Sequence, residues 1–241
     1  VYFDYDEKGN TRFLSIRFRP QYQYLDQNKE AEERIYEGET PGVSYGDIAE
    51  RYYTVGQYMK EVKDVSKAMA AAGDSYICDE YLNAMGSPEA ESVYVLHDLN
   101  NDGIEEFFIG LKFNYDIPYY VIYDVYTWKD GRAYQLMRGI GYRNGSCKIC
   151  ENGVIEDNYS GSAWDGQTLY HILPEGGIEL ETIDSVSSRR DGTVQSYYHW
   201  NELIDENSLQ TILEQYQPES VTYVDCNRET IEQLRLSGIR K

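Results

Sequence analysis

The sequence predicts an α+β fold, with a helical segment near the N-terminus, a large antiparallel β-meander and a C-terminal helix. Three observations carry this. Apolar residues recur at three- and four-residue steps after Ser44. From Pro88 onwards short apolar or aromatic runs alternate with glycine-bearing turns. Helical spacing then returns after Asn201.

In chain order, Tyr2 to Arg19 alternates apolar and polar residues about Glu7-Lys8-Gly9-Asn10, with Phe3 and Tyr5 in one arm and Phe13, Ile16 and Phe18 in the other, which predicts a hairpin. Gln21 to Thr40 is polar and ends at Pro41-Gly42, reading as a connector with a short helix over Lys29 to Tyr36. Residues 1–43 thus form an N-terminal hairpin and connector, and 44–241 an α+β domain; a single domain over 1–241 is the alternative. Val55, Met59, Val62 and Met69 share one helical face, and Asp74 to Met85 reads as a second helix closed by Gly86-Ser87-Pro88. Strands follow at Val93–Leu96, Glu106–Lys112, Tyr119–Trp128, Ala133–Met137, Ser146–Cys150, Gly153–Glu156, Trp164–Leu173, Gly177–Asp184 and Thr193–His199. The turns between them, such as Lys129-Asp130-Gly131 and Glu151-Asn152-Gly153, are short, and a parallel pair would need a long crossover, so the neighbours are antiparallel. Asn201 to Tyr216 reads as a helix stopped by Pro218, followed by a strand at Val221–Val224 and an amphipathic piece from Glu229 to Leu236.

Composition bounds the partners. Acidic residues number 42 against 22 basic ones, for a formal charge of −20, so a broad negative field surrounds the molecule at neutral pH. Phosphate backbones are repelled by such a field, which makes nucleic acid and anionic membrane poor partners and cations natural ones. No apolar run reaches the roughly 20 residues of a membrane-spanning helix, so no transmembrane segment is expected. The chain opens on Val1 without a methionine or a basic and apolar leader pattern, which reads as a processed or truncated product.

The stretch "VYVLHDLNNDGIEEFFIG" crowds oxygen-bearing side chains between two apolar runs. Counting from Asp98 as position one, Asn100 falls at three, Asp102 at five, Gly103 at six, the Ile104 carbonyl at seven and Glu106 at nine. A hard divalent cation takes six to eight oxygens at about 2.3–2.6 Å, and a curved loop aims alternate residues inward. Asp98, Asn100, Asp102, Ile104 and Glu106 are therefore the candidate calcium ligands. An EF-hand needs a carboxylate at position twelve, where this chain has Ile109 inside an apolar run. Magnesium, with fewer protein oxygens and more retained water, fits less well. The competing reading is a solvated turn, since Asn-Asp-Gly alone suits a hairpin.

The D-x-N-x-D-G-x-x-E pattern between two strands resembles the D-x-D-x-D-G-x-x-D calcium loops of FG-GAP-type extracellular repeats. With "YTWKDGRAYQL", "CENGVIEDNYSGS" and "NSLQTILEQYQP" after it, the chain is similar to uncharacterised exported proteins and lipoproteins of Gram-positive gut bacteria. The resemblance implies an extracellular or cell-surface location. FG-GAP propellers repeat the loop in every blade, whereas it occurs once here, which argues against a propeller.

Tyrosine occurs 25 times and clusters at Tyr115, Tyr119, Tyr120, Tyr123 and Tyr126 and again at Tyr197-Tyr198. Strand alternation puts Tyr119, Tyr123 and Val125 on one side and Tyr120, Tyr126 and Trp128 on the other; one side packs inward, and the other offers rings to a glycan or peptide. Cys147 and Cys150, three apart in a strand, point to opposite faces and read as structural, with a disulfide from Cys78 or Cys226 left open. His97, His171 and His199 lack metal-ligand spacing, and no nucleophile elbow, Walker loop or dinucleotide fingerprint occurs. Glu105 and Glu106 point opposite ways in a strand, which is wrong for paired acid and base work. The sequence thus reads as a non-enzymatic surface domain with a structural calcium loop; the rival is a hydrolase acting on cell-wall or dietary polysaccharide.

Overall fold

The computed structural model describes residues 3–5, 11–13, 35–39, 44–62, 64, 66–68, 77–141, 147–160, 164–174, 177–187, 194–200 and 202–238. Three strands come first: β1 (Phe3–Tyr5), β2 (Thr11–Phe13) and β3 (Ile35–Glu39). Helices α1 (Tyr45–Val62) and α2 (Asp79–Met85) follow, then β4 (Ala90–His97), β5 (Glu106–Phe113), β6 (Tyr119–Lys129) and β7 (Arg132–Arg138). Next come β8 (Cys147–Cys150), β9 (Val154–Ser160), β10 (Trp164–Ile172), β11 (Ile178–Ser187), β12 (Val194–His199) and β13 (Glu202–Ile204). Helix α3 (Glu206–Leu213), β14 (Val224–Asp225) and α4 (Arg228–Gly238) complete the chain. The fold is α+β with antiparallel meanders.

The strands form a β1–β2 hairpin and two six-stranded sheets, ordered β14-β4-β5-β6-β7-β3 and β13-β12-β11-β10-β9-β8. Three apolar clusters stack them in four layers. Tyr45, Ile48, Tyr52 and Val55 of α1, Tyr81 and Leu82 of α2, and Ile231 and Leu234 of α4 pack on Phe107, Ile109, Leu111 and Tyr126 of the first sheet. The opposite face of that sheet, with Val95, Phe108, Ile122, Val125 and Met137, meets Cys147, Ile149, Ile155, Tyr170 and Ile172 of the second. Leu209, Ile212 and Leu213 of α3 cover Cys150, Val154, Leu169 and Ile183 on the outer face of the second sheet.

Several expectations need correction. Ile35 and Tyr36, read as the end of a helix, lie in β3, which pairs with β7 and so belongs to the first sheet; residues 29–34 lie outside the described residues, as does Met69. The stretch read as a helix from Asn201 contains β13 before α3, because Asp205 caps the helix by accepting from the Ser208 N–H at 2.7 Å. The strand expected at Val221–Val224 pairs only at Val224 and Asp225.

The alternation assigned to β6 also breaks. Ile109 pairs with Asp124 and Gly110 with Ile122, leaving Tyr123 as an additional residue. Such a bulge resets the two-residue period. Tyr126 and Trp128 therefore join Tyr123 on the helix side, while Val125 turns to the second sheet. Gly110 permits this: a Cβ there would stand 2.0 Å from the Val121 carbonyl oxygen. The bulge also points Asp124 into the helix-side core, where its carboxylate accepts from the Tyr52 hydroxyl and, at 2.9 Å, from the Gly139 N–H. Burial raises Asp124 to about 6 against those hydrogen bonds.

Gly110→Ala is expected to lower stability by about 2–3 kcal/mol through this backbone clash, read as a fall in the urea midpoint. An unchanged midpoint would show that β5 and β6 can separate without cost.

Candidate functional site

The acidic loop joins β4 to β5 as the sequence reading placed it. Its side chains turn inward onto the loop. Asp98 accepts from the Asp102 N–H (3.1 Å) and the Gly103 N–H (2.9 Å), and Asp102 accepts from the Ile104 N–H (2.7 Å). Asn101 and Gly103 take left-handed backbone conformations, with φ of 59° and 88°, which close the curve that Gly103 suits best. Asn100 uses its amide oxygen to accept from the Asp102 N–H and donates its NH₂ to the Leu173 carbonyl at 3.2 Å, docking the loop on the second sheet.

Glu106 lies apart in environment, though not in sequence. Its side chain points to the face shared by the two sheets and is fully buried, while Glu105 stays exposed. One oxygen accepts from the Leu99 N–H (3.0 Å) and the other from the Thr127 hydroxyl (3.1 Å). Burial, aided by the charges of Asp102 and Asp98, lifts it to about 7 in spite of those donors. Asp98, Asn100 and Asp102 thus bond within the loop, whereas both Glu106 oxygens are taken by Leu99 and Thr127. Among the described residues no three His, Cys, Asp or Glu side chains converge to hold a metal. Of the five expected donors, Asp98, Asp102 and Glu106 are therefore not gathered around one point, and the Asn100 amide and the Ile104 carbonyl are donors of other kinds.

A second polar cluster lies on the outer face of the second sheet. Glu181 of β11 faces His171 of β10 at 2.9 Å, His199 of β12 at 2.6 Å and the Tyr216 hydroxyl, which donates at 2.6 Å. Register explains the meeting: His171 pairs with Glu179 and His199 with Ile183, one pleat to either side of Glu181. Burial opposes charge on Glu181, but hydrogen bonds from His171, Tyr216 and His199 prevail and draw it down to about 2. The third histidine, His97, meets Glu219 at 2.9 Å. Sequence reading missed these pairs because their residues lie far apart along the chain; the signal was present only as the count of two-residue steps from each turn.

The cysteines behave as their spacing suggested. Cys147 faces the inter-sheet core and Cys150 the α3 side, and all four are buried. Burial pushes Cys226, and also Cys150 beside Glu156, up to about 12, so neither forms a thiolate at neutral pH. No helix is long and apolar enough to cross a membrane among the described residues. No protein-family model matches the chain, and no curated protein or solved structure is significantly similar to it.

Because folded Glu181 stands near 2 and an unfolded glutamate near 4.5, its stabilising effect is complete above about 4.5 and disappears as pH falls towards 2. Glu181→Gln is expected to cost about 2 kcal/mol at pH 7. The gap from the parent should close by pH 2–3 in urea titrations. A gap independent of pH would assign the loss to packing instead.

Proposed function

We propose that the chain is a non-enzymatic extracellular or cell-surface domain whose acidic loop takes a structural calcium ion and whose exposed aromatic side chains bind a glycan or peptide. The observation that carries the calcium reading is the buried Glu106 carboxylate, opposed by Asp98 and Asp102 within one closed loop. Asp98, Asn100, Asp102 and Glu106, with the Ile104 carbonyl, would hold the ion, whose charge would offset the repulsion of Asp98 and Asp102 on Glu106. The loop connects adjacent strands and touches the second sheet through Asn100, so neutralising it stiffens the junction of both sheets.

The two buried glutamates of the outer face are both engaged, which favours a binding role over hydrolysis at that cluster. Glu181 is engaged by two imidazoles and a phenol, and Glu156 by Lys148, Asn158 and Gln167. Neither stands open to a substrate as acid or base. A reducing-sugar assay on cell-wall and dietary polysaccharides is expected to yield no product, and product formation would favour the hydrolase.

With a dissociation constant on the order of 0.1 mM, as in weaker extracellular modules, ~1 mM calcium would stabilise the fold by about 1.4 kcal/mol. A rise in melting temperature of roughly 3–6 °C follows. Identical melts in calcium and in chelator would overturn the reading.

Glu106 gives the same ion a pH signature. Its folded value of about 7 exceeds the unfolded 4.5, so its contribution in calcium-free protein is present below about 4.5 and is lost as pH rises through 7. Calcium favours the ionised form, so affinity should climb over that window and level off above it. Glu106→Gln should remove both the slope and most of the calcium response; a variant that keeps both would exclude Glu106 as a ligand.

A further inference from the structure

At the far end of β5 from the acidic loop, the β5–β6 hairpin turns over Asn114 to Pro118 and gathers three aromatic rings. Phe113, Tyr115 and Tyr119 have ring planes within 15° of one another and centroids 4.7 to 6.3 Å apart. Phe113 is buried, whereas Tyr115 and Tyr119 are 51% and 47% exposed and Ile117 between them is 83% exposed. Folding requires burial of rings, not a parallel stack that ends in water.

The turn itself carries negative charge at Asp116. The Asn114 N–H donates to the Glu89 backbone carbonyl at 3.0 Å, which ties the turn to the start of β4, while the Glu89 carboxylate accepts from the Ser87 hydroxyl at 2.9 Å. From Phe113 to Tyr119 no residue is basic. Lys112 belongs to the other side of the sheet, paired with Glu91 and Tyr120, whose ring stacks on Tyr223 at 4.0 Å.

We infer that this hairpin tip docks a cationic peptide segment, recognised through arginine side chains laid against Tyr115 and Tyr119. The inference rests on the aromatic binding role proposed above and selects its occupant. A guanidinium is planar, so it extends a stack of parallel rings, and it is attracted both by the ring faces and by the Asp116 carboxylate in the same turn. A neutral sugar ring stacks equally well but gains nothing from Asp116 or from the net charge of −20. An anionic ligand is repelled by both.

The test uses the full chain, a fluorescent arginine-rich peptide in a Gly-Ser background, its lysine counterpart of equal charge, and a set of neutral oligosaccharides. The arginine peptide is expected to bind about fivefold or more tightly than the lysine one. Tyr115→Ala with Tyr119→Ala, which leaves net charge unchanged, should weaken it at least about tenfold and erase that preference. Tyr115→Phe with Tyr119→Phe should retain both. Equal binding of the two peptides, unaffected by the alanine pair, would mean general attraction to an acidic protein and overturn the inference. Oligosaccharide binding lost in the alanine pair, with no arginine preference, would also overturn it while leaving the aromatic face a binding surface. Absence of any Tyr115- and Tyr119-dependent binding would remove both.

Discussion

The constraint on which the rest of this structure depends is that its first sheet is buried on both faces, by helices on one side and by a second sheet on the other. Strands of an antiparallel sheet usually keep one face wet, and their alternation of apolar and polar residues shows it. Here β5 reads Glu-Phe-Phe-Ile-Gly-Leu-Lys-Phe with hardly a polar position, because Phe107 and Ile109 serve one core while Phe108 serves the other. Any polar side chain in this layer must bring its partners with it. Asp124 does so towards the helices through Tyr52 and Gly139, and Glu106 towards the second sheet through Leu99 and Thr127.

Two glutamates show how far surroundings, not residue type, fix charge. Glu181 receives three strong donors on the outer face of the second sheet and stays ionised down to about pH 2. Glu106 receives two, lies deeper and faces two like charges, and its ionisation is deferred to about pH 7. Desolvation acts on both; the number of donors and the sign of the neighbours decide between them. In a chain of net charge −20, the second arrangement is the costly one, and it occurs where the sequence concentrates loop oxygens.

Much of the fold was legible because turn chemistry is local. Asp130-Gly131 and Asn152-Gly153 adopt left-handed conformations in the structure, which is why those pairs could be read as hairpin corners and the strands between them placed within a few residues. What escaped prediction is non-local. The short β3 and β13 have too few residues to show a period and exist because neighbouring strands offer free edges. The bulge at Tyr123 depends on the fit of Gly110 against Val121 across the sheet, and no pattern within β6 announces it. The loop at Asp98 was visible as a spacing, yet the burial of its last member, Glu106, follows from the second sheet and could not be read from the loop alone.

The acidic loop and the aromatic tip stand at opposite ends of the same strand. β5 runs from Glu106 to Phe113, eight residues, or roughly 25 Å of extended chain. Under the proposed reading, a cation at the first end would not touch a ligand at the second, and its part would be to hold β4, β5 and the second sheet in register. The tip then projects from a strand that is fixed on both faces and pinned at its base. Exposed rings on a mobile support would lose the affinity gained by stacking to the entropy of ordering them. The burial of β5 and the electrostatics of its first residue thus serve one end: they let two half-exposed tyrosines keep their shared plane without a core around them.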